Sequence, residues 1–459
     1  MFNKETYISR RQSLKEAVRD GIILLMGNEE SPMNYTDNAF PFRQDSSFLY
    51  FFGLDRPGLV AVIDIDDERE IVFGNDIDIE DIIWTGPMVS LSEQCFHIGV
   101  NDVRKTSAVA QLLADAMASG RKIHFLPPYR SENKLKIQEW LQVPVADQKA
   151  KASVSLIKAI VAQRSIKSQE EITEIDKAVN ISAQMQTKAS QMALDGQSET
   201  IIAGALEGIA VSAGGRLAFP SIITINGQIL HNHSQGNQLK KGQMLLCDCG
   251  ADTAMRYGGD LTRTTPVDDQ FTSRQKEIYS IVRTAHESAI NMLIPGKKFL
   301  DVHLHACEKL TEGLKDLGLM KGDIHDAVRQ GAHAMFFQCG LGHLLGLDTH
   351  DMEDLGEQYT GYTEALVKST QFGLKSLRLG REVQEGFVLT VEPGIYFIPE
   401  LIDLWKSEKK FEEFICYDVL EKYRDFGGIR IEDDLLITSD GHRVLGNPLE
   451  RDTEKLKRK

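Results

Sequence analysis

The sequence predicts an α/β (α+β) protein of two domains, a mixed-sheet domain over residues 1–165 followed by a larger helix-and-strand domain over residues 166–459. Three observations predict it. At 459 residues the chain exceeds one ordinary domain, and its 42% apolar and 26% charged content is that of a globular protein with full cores. Through the first 165 residues short apolar runs alternate with helical patterns, as a mixed sheet with covering helices requires. Beyond them, long amphipathic helices give way to strand-like runs that carry carboxylates beside glycine turns.

In chain order, Ser13-Leu-Lys-Glu16 reads as a capping box opening a first helix, and Ile22–Met26 as a strand. The aromatic cluster Phe48–Phe52, ending at Gly53, has the composition of a buried strand or turn. Gly58–Ile65 and Glu70–Phe73 read as strands, with the acids of Asp64–Glu68 in a solvated turn between them. A helix over Val103–Ala118, a strand at Lys122–Leu126 and a helix over Glu132–Leu141 follow. No phosphate-cradling glycine loop occurs here, and His97 and His124 lack companions at ligand spacing, which makes them structural histidines. A helix over Ala152–Ser165 stops before a second capping box, Ser168-Gln-Glu-Glu171, whose helix carries Ile172, Ile175, Val179 and Met185 on one stripe. The domain boundary falls near residue 165 without a Gly/Ser linker. Helices are expected over 168–194, 198–213, 273–293 and 300–317, and strands at Ile222–Ile225, Met244–Cys247, Phe387–Ile398 and Ile429–Ile437. Asp354–Glu385 and Pro399–Phe426 lack periodicity and read as surface excursions.

No apolar run reaches the roughly 18–20 residues that cross a bilayer, and the opening Met1-Phe-Asn-Lys-Glu-Thr6 does not form a signal-peptide core. Six cysteines in so long a chain make no disulfide framework, which predicts a cytoplasmic protein. A net charge of −15 argues against nucleic acid as a partner.

The stretch from Met244 to Pro266 organises the second half. An apolar run ends at Asp248, glycines at 250, 258 and 259 turn the chain, and Asp260 opens a second β-prone run. Two carboxylates aimed at one spot repel and resist ionisation unless a cation lies between them. Four further signals converge on the same chemistry. Cys339-Gly-Leu-Gly-His343-Leu-Leu-Gly-Leu-Asp-Thr-His350-Asp351 packs backbone closely around two histidines. Val388-Leu-Thr-Val-Glu392-Pro-Gly394 places a glutamate in an apolar strand, where an unpaired charge is costly. Gly428-Ile-Arg430-Ile-Glu432-Asp433 puts Arg430 and Glu432 on one strand face. Ile229-Leu-His231-Asn-His233 follows a turn at Asn226-Gly227. Asp248, Asp260, His343, Glu392 and Glu432 together make an oxygen-rich donor set with one imidazole, suited to Mn²⁺ or a similar dication. Four carboxylates neutralise two dications, and a metal pair of that kind points to hydrolysis.

In order and wording these segments resemble the metallopeptidases of the pita-bread fold, and within them the Xaa-Pro aminopeptidases. Phe42-Arg-Gln-Asp-Ser-Ser-Phe-Leu-Tyr-Phe-Phe-Gly53 resembles the same family's creatinase-like, RNase H-like N-terminal domain, so the resemblance covers both halves. It implies a metallo-aminopeptidase that removes the first residue from peptides with proline second. Asp248 would bind one metal, Asp260 and Glu432 would bridge two, His343 would hold the second, and Glu392 would touch the pair and handle the proton. His231 and His350 would orient substrate and stabilise the tetrahedral intermediate, with Arg430 behind the ligands and Tyr257 and Tyr396 as pocket walls. It also implies a homo-oligomer, dimer or tetramer. Asp248 and Asp260 lie twelve positions apart where the family has eleven, and Cys339 stands where the family has a histidine. The rivals are an Xaa-Pro dipeptidase with the same ligands, a non-catalytic binding relative, and a creatinase-type enzyme, which lacks the full ligand set.

Overall fold

A computed structural model describes residues 1–268 and 270–453. The chain separates into two compact units, Met1–Arg164 with Asp354–Tyr359, and Ser165–Glu353 with the chain from Thr360 onward. The short stretch Asp354–Tyr359, expected within the second domain, groups with the first. It carries no periodicity from which its neighbours could be read.

The first unit is built on a five-stranded mixed sheet in the order Asp102–Arg104, Arg69–Phe73, Val60–Asp64, Ile22–Met26, Ile123–Phe125. Its central pairs are antiparallel and both edge pairs parallel. Ile22–Leu25 and Val60–Asp64 are buried throughout, which is why these strands read as unbroken apolar runs and not as alternations. Four expectations are corrected here. The first helix runs Lys4–Val18, so Ser13 lies inside it and caps nothing. Ser46–Phe52 is a helix: Asp45 accepts from the Phe48 amide at its start, and Gly53 closes it at φ 64°. There, cap chemistry outweighs the β-propensity of the aromatics. Asp102–Arg104 forms the parallel edge strand, and the helix expected from Val103 begins at Val109. Asp64 is buried between Arg121 and Arg69 and is not a solvated turn acid. His124 is buried with ring nitrogens 2.7 Å from Ser153 Oγ and 3.1 Å from the Asp20 carbonyl, a satisfied structural histidine.

In the second unit the Ser168 capping box forms, and its helix runs Gln169–Met192. This helix and Glu199–Ser212 pack Met185, Ile202 and Leu206 against Ile223, Leu245 and Cys247 of an antiparallel sheet. The sheet comprises Ile222–Thr224, Met244–Cys249 and Leu261–Pro266, with Asp248 opposite Thr262. Gly259 lets the helix approach, since a Cβ there would sit 2.8 Å from the Val179 nitrogen. A second antiparallel sheet holds Val388–Val391, Asp433–Ile437 and His442–Val444, and Gly394–Tyr396 pairs with Gly428–Arg430. A bridge between Thr262 and Glu432 joins the first sheet to the chain that carries the last ligand-type residue. Ser273–Asn291 and Phe299–Asp316 form a packed helix pair in the same unit.

Candidate metal centre

Asp248, near the end of its strand, and Asp260, just before the next, are brought together by the hairpin register. The two carboxyl groups lie within hydrogen-bonding reach of each other. Glu432 arrives through the Thr262 bridge, and the Thr262 hydroxyl donates to its carboxylate at 2.6 Å. His343 comes in on the glycine-rich loop, where a Cβ on Gly342 would sit 2.0 Å from the Thr390 carbonyl oxygen. Only glycine lets that loop lie against the strand that carries Glu392. Its anchors are the His343 amide on the Thr390 hydroxyl (3.2 Å) and the Thr390 amide on the His343 carbonyl (2.9 Å). His343 Nδ1 lies 3.1 Å from the Leu344 carbonyl and must donate to it, which leaves the Nε2 lone pair facing Asp260 at 3.5 Å and Glu392 at 3.7 Å. Donor atoms of Asp260, His343 and Glu432 lie within 4.8 Å of one another.

The electrostatics are those of anions short of positive charge. Burial, and then neighbouring carboxylates, push Asp260 and Glu432 well above the carboxylate range. Burial raises Glu392 to about 7. Oδ1 of Asp248 and Oδ1 of Asp260 are buried without a hydrogen-bond partner. Arg430 forms an ion pair with Asp248 at 2.5 Å and donates to the Thr262 hydroxyl (3.2 Å) and to Tyr396 (3.0 Å). Thr262 is the group it shares with Glu432, while its own ion pair is with Asp248. Orphaned buried carboxylate oxygens, one free imidazole lone pair and a single arginine fit a divalent cation in kind and charge.

The histidines expected to face substrate sit at the rim. His350 stacks edge-on against His343 with ring centroids 4.4 Å apart, and its Nδ1 is 2.7 Å from Glu353. Glu353, held down to about 2 by that hydrogen bond, also lies 3.4 Å from Arg378. His231 is exposed on its turn, which buried Asn232 anchors by donating to Thr224 (2.9 Å). Burial lowers its pKa, Arg430 adds to that effect and Asp248 opposes it, so His231 lies within electrostatic range of these two residues. Tyr396 is buried behind Arg430. Tyr257 is buried, and its hydroxyl donates to Glu171 of the helix Gln169–Met192 at 3.1 Å.

Residues 173–439 match the model of metallopeptidase family M24, and residues 7–124 match the aminopeptidase P N-terminal domain. A probable Xaa-Pro aminopeptidase of Botryotinia fuckeliana is 32% identical, over 93% of this chain and 90% of that one. One from Sordaria macrospora is 33% identical, over 92% and 87%. Among solved structures, Escherichia coli aminopeptidase P with the inhibitor Pro-Leu superposes with a TM-score of 0.80 at 28% identity, covering 99% of this chain and 97% of that one. A zinc-substituted form of the E. coli enzyme in complex with product gives 0.81 at 27% identity, with the same coverage. The chain belongs to metallopeptidase family M24. The mixed α/β architecture, with an aminopeptidase P N-terminal domain before an M24 domain, is the fold class the sequence predicts. Divalent metal ions therefore belong at a centre in this chain.

Several M24-domain residues at the centre escaped the sequence reading. Asp434 accepts the Asp260 amide at 2.9 Å, and Thr262 binds both Glu432 and Arg430. A period of two from Glu432 and from Asp260 reaches Asp434 and Thr262, so a signal existed. Glu353 stands three residues after His350, and Arg378 follows no pattern that reveals it.

Raised carboxyl pKa values carry a sign for stability. Asp260, Glu432 and Asp434 hold protons in the metal-free fold above the pH where an unfolded chain has released them. The metal-free fold therefore loses their contribution as pH climbs above about 4, while a bound cation replaces those protons. The difference in melting temperature between Mn²⁺-loaded and chelated protein should widen from pH 5.5 to 8 in scanning calorimetry. A gap that narrows would mean these carboxylates are not what the ion meets.

Proposed function

We propose that this protein is a dinuclear metallo-aminopeptidase that releases the first residue of peptides whose second residue is proline. The observation that carries this reading is the buried cluster of Asp248, Asp260, His343, Glu392 and Glu432, with its orphaned oxygens, in a chain of the M24 family. These five residues would hold two divalent cations, most simply Mn²⁺ for so oxygen-rich a set. When bound, such a pair acidifies water and polarises a carbonyl. Glu392 would take a proton and return it to the leaving nitrogen. His350, oriented by Glu353, and His231 at the rim would position the peptide. Arg430 pairs with Asp248 and holds its carboxylate in place. The aminopeptidase P type of N-terminal domain favours longer peptides over an Xaa-Pro dipeptidase role. Six free cysteines support a cytoplasmic location, and no helix among the described residues is long and apolar enough to cross a membrane. A homo-oligomer, dimer or tetramer, is part of the proposal and is decided by light scattering.

With Mn²⁺ present, alanine should be released from Ala-Pro-Ala far faster than from Ala-Ala-Ala. Cleavage of Ala-Pro alone would make the protein a dipeptidase, and equal cleavage of both tripeptides would remove the proline requirement. Asp260→Ala and Glu432→Ala should each lose carboxylate-bound metal by elemental analysis. Unchanged metal and activity in both would overturn the ligand assignment.

Cys339 is part-buried beside Tyr396 and Glu392, its thiol pushed by burial to about 12 and so neutral. A neutral thiol is a weak donor where a histidine could hydrogen-bond strongly. Cys339→His should raise kcat/KM on Ala-Pro-Ala by about 10–100-fold, the usual scale for a group supporting a metal site. A fall in activity without unfolding would show that the thiol itself is needed.

A further inference from the structure

A second cluster of donor atoms lies in the same unit, made of residues given no part above. His303 and Cys307 stand four apart on the Phe299–Asp316 helix and so share one face of it. His333 comes from the short turn Ala332–Met335. Their donor atoms lie within 4.8 Å of one another, and the side chains are 0–2% exposed. We propose that His303, Cys307 and His333 form a site for a thiolate-seeking d¹⁰ cation, Zn²⁺ or Cu⁺, distinct in position and chemistry from the carboxylate centre.

Three observations support it. First, Cys307 Sγ and His303 Nε2 are 3.5 Å apart. Nitrogen and sulfur bound to one tetrahedral zinc, at 2.0–2.1 and 2.3 Å, are separated by about 3.5 Å, so no rearrangement is needed to bring these two to one ion. Second, Nδ1 of His303 is buried without a hydrogen-bond partner, and the His333 ring has only the Val328 backbone within reach. Neutral imidazole in an apolar interior normally finds a partner for each nitrogen, and a cation here would take one lone pair of His333 together with Nε2 of His303. Third, all three side chains are closed to solvent, so water does not compete for their lone pairs.

Donor type sets the ion. Two imidazoles and a sulfur favour soft or borderline cations, whereas the carboxylate set favours hard ones. Binding replaces the Cys307 proton: the S–H bond breaks, the metal–sulfur bond forms, and the proton leaves to solvent with no change of oxidation state. Closure to solvent makes this a structural site, loaded as the chain folds. Its three protein ligands and single negative charge suit Cu⁺ in a neutral three-coordinate complex, or Zn²⁺ with one further ligand.

The test uses the full chain, refolded metal-free and reloaded with Co²⁺ or Cu⁺. Cobalt bound to a thiolate gives a charge-transfer absorption in the near ultraviolet that carboxylate and imidazole ligands do not. The expected result is one equivalent of this band in the native sequence and in Cys339→His, and its loss in Cys307→Ser. His333→Gln serves as a second variant should Cys307→Ser not fold. One equivalent of Cu⁺ held against a competing chelator, lost in the same variants and without a cobalt band, supports the Cu⁺ form. Asp260→Ala separates this site from the proposed catalytic centre, since it should remove carboxylate-bound metal and leave the thiolate band intact. Absence of both the cobalt band and tight Cu⁺ binding overturns the proposal and leaves a thiol–imidazole hydrogen bond in the core. A band that follows Cys339 instead of Cys307 also overturns it.

Discussion

The second unit is organised by repulsion. Asp248, Asp260, Glu392 and Glu432 converge with Arg430 as the guanidinium paired among them. Two like charges about 4 Å apart repel by about 4 kcal/mol at an effective dielectric near 20. Several such pairs would consume the whole stability of a domain, which is about 5–15 kcal/mol. A metal-free fold can respond only by keeping protons on some of these groups, the direction in which Asp260, Glu432 and Asp434 are shifted. Cation binding and local stability are therefore one property of this unit.

Such crowding persists only if the frame cannot relax. Thr262 stands at the join between the two sheets, bridged through its backbone to Glu432 and bonded through its hydroxyl to Glu432 and Arg430. Behind it, Arg263 donates to the Glu432 carbonyl at 2.6 Å and pairs with Asp433 at 2.6 Å. On the loop side, buried Lys167 holds Asp351 at 2.7 Å, the residue next to His350. Glu432 and His343 are thus fixed through their backbones as well as their side chains. This is how a site reaches the fraction-of-an-ångström precision that catalysis demands.

The legible part of the sequence was the part where chemistry and pattern coincide. Glutamate within an apolar strand, aspartates at a glycine hairpin and histidines in a glycine-dense loop each break a local rule, and each break marks a group that needs a partner. The Ser168 capping box was readable for the same reason, since its two side chains satisfy backbone groups a few residues away. Ser46–Phe52 was misread because aromatic composition was weighed above Asp45 and Gly53, whose caps decided the outcome. The helix assigned from Val103 failed because the edge strand Asp102–Arg104 is only three residues long and exists through its neighbour. Arg378 became visible only once the chain had brought distant segments together, whereas Glu353 stands three residues after His350.

The spacing His303-x-x-x-Cys307 carried a signal that went unused, because a helix face with one histidine and one cysteine reads as core until the third donor arrives. That donor, His333, comes from a turn twenty-six positions downstream of Cys307, and only the fold sets it there. The two clusters show how one domain can sort cations without discriminating by affinity alone. Carboxylates crowd where hydrogen bonds from Thr262 and the Asp260 amide can hold anions in place. Imidazoles and a thiol gather where the interior supplies few hydrogen bonds and tolerates little net charge. Cys339 lies between the two chemistries, with electrostatic influence from Glu392 on one side and on Cys307 on the other. A histidine there would join the polar centre, whereas a neutral thiol keeps the boundary between the two environments apolar.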